Sequence, residues 1–169
     1  MTRLKNQQIK KIIFSLVILL TLIIIYWGYR VYIEYRGVYN IVVFIPLLFL
    51  PISYRMILKD HEIFLRWRIV TVMILSIALP LLIYFTLPKY TYNEGQKRVI
   101  EYLNTTEKVE FINYSRGEDT IPVMNNPKGF LIKDRTYYYH VKVLDKDRYF
   151  MVNPIMGKVG ELPNAYWHD

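Results

Sequence analysis

Hydrophobic positions along this chain fall into two regimes, unbroken runs up to residue 88 and periodic patterns after it. Ile12 to Tyr29, Val38 to Tyr54 and Ile69 to Pro88 contain no charged side chain. At about 1.5 Å of rise per helical residue, each run approaches or spans the roughly 30 Å hydrocarbon core of a bilayer. The pattern predicts a membrane α-helical domain, residues 1–88, with three transmembrane helices at about 12–29, 38–54 and 69–88. Pro46, Pro51 and Pro80 interrupt the second and third runs, so kinks are expected there.

Residues 89–169 first take a helical period and then alternate. Asn93 is placed to cap a helix, Gln96 completes a capping-box-like pair, and Val99, Ile100 and Leu103 mark the apolar side. Lys108 to Ser115 alternates as a strand with Val109 and Phe111 on one face, closed by a turn at Arg116-Gly117-Glu118-Asp119. After a break at Asn125 to Gly129, Phe130 to Ile132 reads as a short strand. Tyr137, Tyr139, Val141 and Val143 alternate with Tyr138, His140 and Lys142 in a longer one. Asp145-Lys146-Asp147 makes a hairpin turn, and Arg148 to Val152 returns. The expectation is a small extracytoplasmic α+β domain, one helix packed on an antiparallel sheet.

Charge adds an orientation. The net charge is +8, but residues 1–88 hold 10 basic and 3 acidic side chains, while the remainder is nearly balanced. A surplus confined to the flanks of hydrophobic runs is a topology signal and argues against nucleic acid as a partner. Arg3, Lys5, Lys10 and Lys11 precede the first run, and Arg55, Lys59, Arg66 and Arg68 separate the second from the third. The N-terminus and that second loop are therefore expected in the cytoplasm, with the C-terminal domain outside a cell membrane crossed several times. Arg55, Lys59, Glu62 and Arg66 recur at helical spacing, which makes this stripe a candidate contact with anionic lipid at the inner surface. Tyr26, Trp27, Tyr29, Tyr32, Tyr35 and Tyr39, with Tyr84, Tyr90 and Tyr92, read as an outer belt at the headgroup level.

A cleaved signal peptide competes with an anchor for the first run. The run exceeds a typical apolar signal region and ends in bulky Tyr26, Trp27, Tyr29 and Arg30 rather than small residues, which favours an anchor. The chain has no cysteine, so disulfides, thiol catalysis and cysteine-ligated metals are excluded. With the abundance of Lys, Ile and Tyr, that fits a bacterial surface. Asn104-Thr105-Thr106 and Asn113-Tyr114-Ser115 match a glycosylation triplet that matters only in a eukaryotic secretory pathway.

The segment Tyr137 to Val143, then Asp145-Lys146-Asp147, then Tyr149 to Val159 with Asn153-Pro154, Gly157 and Lys158-Val159, resembles the final hairpin of PepSY-type domains. The similarity covers roughly residues 94–162, and an asparagine at 153 stands where that family usually has an acid. Asn153-Pro154 can start a turn and Gly157 can take a positive φ. The resemblance implies a noncatalytic extracytoplasmic module that binds or restrains partner proteins near the cell wall, without assigning a site.

Chemistry is sparse. His140, His168, Glu118, Asp119, Asp145, Asp147, Ser115 and Thr136 form no spacing known for a nucleophile elbow, a zinc site, a calcium loop or a phosphate cradle, so no catalytic, metal or cofactor site is expected. No ionisable residue lies mid-run where a proton or ion relay would need one. In a strand Tyr137 to Tyr139 must point to both faces, and Tyr166-Trp167 adds apolar surface at the tail. Tyr138, Phe150, Tyr166 and Trp167 are the candidate partner contacts, since tyrosine and tryptophan are enriched where proteins grip each other. The function expected is a non-enzymatic binding or regulatory protein for a membrane or cell-wall-associated partner. The alternatives are immunity against a toxin or bacteriocin acting at the membrane, and an accessory subunit of a transporter.

Overall fold

The computed structural model describes residues 2–59, 65–105, 107–112, 117–123 and 129–167. Glu62, Ser115, Arg116, His168 and the predicted break at residues 125–128 lie outside them. The chain forms two compact units, residues Met1–Arg30 with Ile41–Thr86, and residues Val31–Asn40 with Leu87–Asp169. The second unit thus takes in the connection Val31–Gly37 between the first two predicted spans and Val38–Asn40 from the start of the second.

In the first unit, α1 (Thr2–Glu34) is followed by a 3-10 turn (Ile41–Phe44), α2 (Ile45–Leu48), α3 (Leu50–Lys59) and α4 (Leu65–Thr86). The last turn of α1 is assigned to the second unit. Among the described residues, Ile24, Phe44, Leu47, Leu50, Tyr54 and Ile83 are the buried hydrophobic side chains of the first unit. Gly28 matters for this packing, because a Cβ there would lie 3.2 Å from Phe44 Cδ1, whose ring meets Trp27 edge-on at 5.3 Å.

Three membrane spans are not what these residues form. Among the described residues, one helix is long and apolar enough to cross a bilayer, Phe14–Glu34 within α1. Val38 to Asn40 leaves the second predicted span altogether, and its remainder is broken around Pro46 and Pro51 into a 3-10 turn and two helices. The shorter apolar helices are Ile41–Arg55 and Ser76–Thr86. At 1.5 Å per residue these apolar stretches measure about 22 and 16 Å, short of the hydrocarbon thickness, and α4 continues the second one back into a first turn that carries Arg66 and Arg68. An uncharged run measures the absence of charge, whereas crossing depends on continuous helical rise, and proline removes the backbone bond that continues it. The predicted charged stripe is divided likewise, with Arg55 and Lys59 on α3 and Arg66 and Arg68 on the first turn of α4, so their spacing does not place them on one helix.

The second unit is the α+β domain. Helix α5 (Tyr92–Leu103) packs on a sheet of β1 (Val109–Ile112), β2 (Thr120–Pro122), β3 (Arg135–Val143), β4 (Lys146–Val152) and β5 (Val159–Leu162). The sheet is antiparallel in the order β1-β3-β4-β5, and β2 pairs with the N-terminal half of β3. The N-cap of α5 is Thr91 rather than Asn93, with a reciprocal capping box to Glu94. Both residue types suit a cap; burial of Tyr92 against Tyr137 and Tyr139, with ring centroids 5.5 and 4.7 Å away, selects the earlier one. The predicted strand Phe130 to Ile132 reduces to a single bridge between Ile132 and Tyr39, and Phe130 is exposed.

The β3–β4 turn is one residue pair earlier than predicted. Val143 pairs with Lys146, leaving Leu144 and Asp145 as a two-residue loop with φ of 49° and 60°. Positive φ at both positions is the type I′ geometry that favours Asn-Gly, and a leucine there costs about 1 kcal/mol in backbone strain. Since Leu144 is exposed, the double substitution Leu144→Asn with Asp145→Gly is expected to raise unfolding stability by about 1 kcal/mol; an unchanged unfolding midpoint would contradict the turn assignment.

Gly95 is demanded by packing. A Cβ on Gly95 would be driven into Tyr139 Oη, with Tyr137 Cδ2 only 3.3 Å away. Exposed helical glycines gain up to about 1 kcal/mol on becoming alanine, but Gly95→Ala is expected to cost about 2 to 3 kcal/mol through overpacking. Tyr139→Phe, which deletes the obstructing oxygen, should recover part of that loss in chemical unfolding.

Gly157 shows the same constraint in the β4–β5 connection. It has φ of +67°, and a Cβ there would come within 2.6 Å of Tyr90 Cε2. The turn it closes is held by Asn153 Oδ1, which accepts from the amides of Ile155 (2.8 Å) and Met156 (2.9 Å).

Candidate functional site: a cationic cleft in the sheet domain

Helix α1 stops where Arg36 and Gly37 take positive φ of 48° and 74°, a left-handed ending that turns the chain back. The turn feeds Val38 to Asn40 into the sheet domain. Lys133 N donates to Val38 O (2.8 Å) and Asn40 N donates to Leu131 O (2.9 Å). Tyr35, Val38 and Tyr39 are buried there. The predicted tyrosine belt is thereby split: Tyr26, Tyr29, Tyr32 and Tyr84 are exposed, whereas Tyr35, Tyr39 and Tyr92 are core residues of the domain.

This segment forms one wall of a cleft of about 470 Å³. Tyr32, Ile33, Arg36 and Gly37 face the loop Gly117 to Thr120, with Lys133, Arg135 and Trp167 completing the lining. The loop is held from several sides. Arg135 Nε donates to Thr120 Oγ1 (2.7 Å), and its Nη2 donates to Thr120 O (2.8 Å) and Gly117 O (3.3 Å). Trp167 Nε1 donates to Glu118 O (2.8 Å), and Tyr138 N donates to Asp119 O (2.9 Å). Asp119 is 5% exposed and pairs with Arg36, whose Nη1 lies 3.1 Å from Asp119 Oδ2 and whose guanidinium sits over the Tyr92 ring at 4.9 Å.

Removing one partner of a buried ion pair leaves the other charge in a poor solvent. The Arg36 side chain is one-third exposed, so Arg36→Met is expected to cost about 2 kcal/mol rather than the full buried-pair value. Adding Asp119→Asn should then restore stability. A double-mutant cycle showing no coupling would remove the pair from the energetics of the cleft.

The predicted partner contacts fare differently. Tyr138 and Phe150 are each 0% exposed and have no surface to offer, contrary to the sequence reading. Tyr138 lies on the face opposite α5, where its ring stacks on Tyr149 at 6.3 Å and its hydroxyl accepts from Tyr166 N (3.3 Å). Phe150 packs beneath α5 against Tyr102 at 6.0 Å. Tyr166 remains partly exposed, and Trp167 is brought to the cleft. Of the candidate lipid contacts, Arg55 is exposed on α3, while Lys59, Arg66 and Arg68 sit at helix ends.

The acids and histidine considered for catalysis do not converge. His140 Nε2 lies 2.7 Å from Asp147 Oδ1 at the sheet surface, and Thr136 is buried with its hydroxyl donating to Val152 O (2.6 Å). Among the described residues, no three of His, Asp and Glu gather as a metal ion would require. The cleft instead carries three cations, Arg36, Lys133 and Arg135, against one acid, Asp119.

Sequence reasoning missed this cleft because its charged members, Arg36, Asp119 and the pair Lys133 and Arg135, come from three separate segments that no spacing links. The nearest signal was Arg36-Gly37 directly after a long apolar helix, which marks a helix end but not a site. Comparison with protein-family models, with curated proteins and with solved structures finds no match to this chain.

Proposed function

We propose that this chain is a non-enzymatic, membrane-anchored binding or regulatory protein that presents its α+β domain, a PepSY-like module, outside the cell. The observation that carries the reading is α1, since Phe14–Glu34 has a mean hydropathy of 2.0 and only 17% of it is buried. By length and composition such a helix is an anchor or a signal sequence, and a soluble core helix would be mostly covered. Val31 to Glu34 ends the helix and is counted within the sheet domain, which supports a retained anchor. Arg3, Lys5, Lys10 and Lys11 precede the apolar stretch, so the N-terminus is cytoplasmic and the helix end emerges outside. The exposed apolar side chains of Ile41–Arg55 and Ser76–Thr86 suit interfacial or re-entrant segments against lipid.

The partner is offered the exposed rim of the cleft at Tyr32. Two measurements test the reading together. A reporter enzyme active only outside the cytoplasm, fused after Asp169, should be active. A photo-crosslinker at Tyr32 should trap a membrane or wall-associated protein that one at Lys146, on the distant hairpin, does not. Activity solely from a cytoplasmic reporter, or equal trapping at both positions, would reject it.

A further inference from the structure

We propose that the cleft is a phosphate site, and that its ligand is the phosphate of an acidic phospholipid headgroup or a free phosphate. Three cations line it, and Arg135, tied to Gly117 and Thr120, is held rigid without immobilisation at the moment of binding. Guanidinium and ammonium groups together suit phosphate oxygens through charge-assisted hydrogen bonds. Arg36 and Asp119 pair at 3.1 Å and cancel each other, so the net field of the cleft is that of Lys133 and Arg135. The volume of about 470 Å³ falls within the range of small-ligand sites.

The rest of the lining favours the lipid source. Tyr32 and Ile33 belong to the last turn of the apolar stretch Phe14–Glu34, and Trp167 adds a second aromatic ring. An apolar and aromatic wall beside a cationic one matches an amphiphile, with phosphate on the charged side and the base of the acyl chains on the other. This part rests on α1 being a membrane anchor, which puts its C-terminal turn at headgroup level. The phosphate chemistry itself depends only on the cleft.

The test uses the full chain in neutral detergent with Trp27→Phe and Trp67→Phe, so that Trp167 is the remaining tryptophan. Its emission is followed while short-chain phosphatidylglycerol, short-chain phosphatidylcholine or inorganic phosphate is added. Saturable change with phosphatidylglycerol at concentrations about tenfold below those for phosphatidylcholine supports the site and assigns the lipid source. An equal response to inorganic phosphate supports the site and assigns the soluble source. Lys133→Glu should weaken either response about tenfold, with Lys89→Glu, away from the cleft, as the control. No saturable response to any phosphate, or a Lys133→Glu variant that folds and binds as before, overturns the proposal. Failure here with an active extracytoplasmic reporter would leave the anchor reading standing.

Discussion

A fragment of residues 87–169 is expected not to fold, although it contains all of α5 and the sheet. Without Val31–Asn40 it loses the buried side chains of Tyr35, Val38 and Tyr39 and leaves Ile132, itself 0% exposed in the intact chain, uncovered. It also loses the hydrogen bonds from Lys133 N and Asn40 N and strands Asp119 without Arg36. Three large buried side chains at about 1.5 to 3 kcal/mol each amount to roughly 5 to 9 kcal/mol, an upper bound because unfolded chains already bury some surface. A domain of this size has a net stability of about 5 to 14 kcal/mol, so most of it disappears. Joining Val31–Asn40 to the fragment through a flexible Gly/Ser linker should restore cooperative unfolding. Equal unfolding midpoints with and without that segment would show that it is an accessory to the domain rather than part of its core.

The second large effect is alkaline unfolding. Tyr92, Tyr137 and Tyr139 are buried between α5 and the sheet, and burial pushes all three hydroxyls well above the ordinary tyrosine value of 10.0. At Tyr92 the neighbouring Asp119 charge pushes the same way, and Arg36 opposes it. The protonated hydroxyls have work to do. Tyr137 donates to Tyr90 O (2.9 Å) and Tyr139 to Tyr92 O (2.7 Å).

The sign follows from proton binding. A raised folded value means that the native state keeps a proton which the unfolded chain releases above pH 10, so stability is complete below that pH and falls as pH rises further. Each group contributes about 1.4 kcal/mol per pH unit, hence about 4 kcal/mol per unit for the three. Unfolding followed between pH 9 and 12 should show a slope that grows from near zero to about this value as the unfolded tyrosines ionise, and Tyr137→Phe should reduce the limiting slope by about a third. A Tyr137→Phe variant with an undiminished slope would place the titration elsewhere.

Both results concern features that one-dimensional patterns reach unequally. The β3–β4 hairpin was legible because Tyr137, Tyr139, Val141 and Val143 alternate, and alternation alone commits a strand to two faces. Its turn was not, since Asp145-Lys146-Asp147 has turn composition while the pairing of Val143 with Lys146 sets the loop. The helix at 92–103 was legible by period. Its cap moved to Thr91 because burial of Tyr92 decides where the helix begins. Three uncharged runs predicted three spans, yet hydropathy averages over residues whose helix is broken at Pro46 and Pro51.

What the amino-acid sequence determined by itself is local: an apolar N-terminal helix with basic residues before it, an absence of cysteine chemistry, and a helix followed by a tyrosine-rich hairpin. Tertiary structure decided which tyrosines are core, because an amphipathic ring is equally at home in a headgroup layer or in an interior that supplies a carbonyl for its hydroxyl. It also decided that the last turn of α1 and the six residues after it complete the sheet domain, and that Arg36, Asp119, Lys133 and Arg135 share one cleft. Contacts between distant segments depend on chain closure and packing, and neither leaves a period in the sequence.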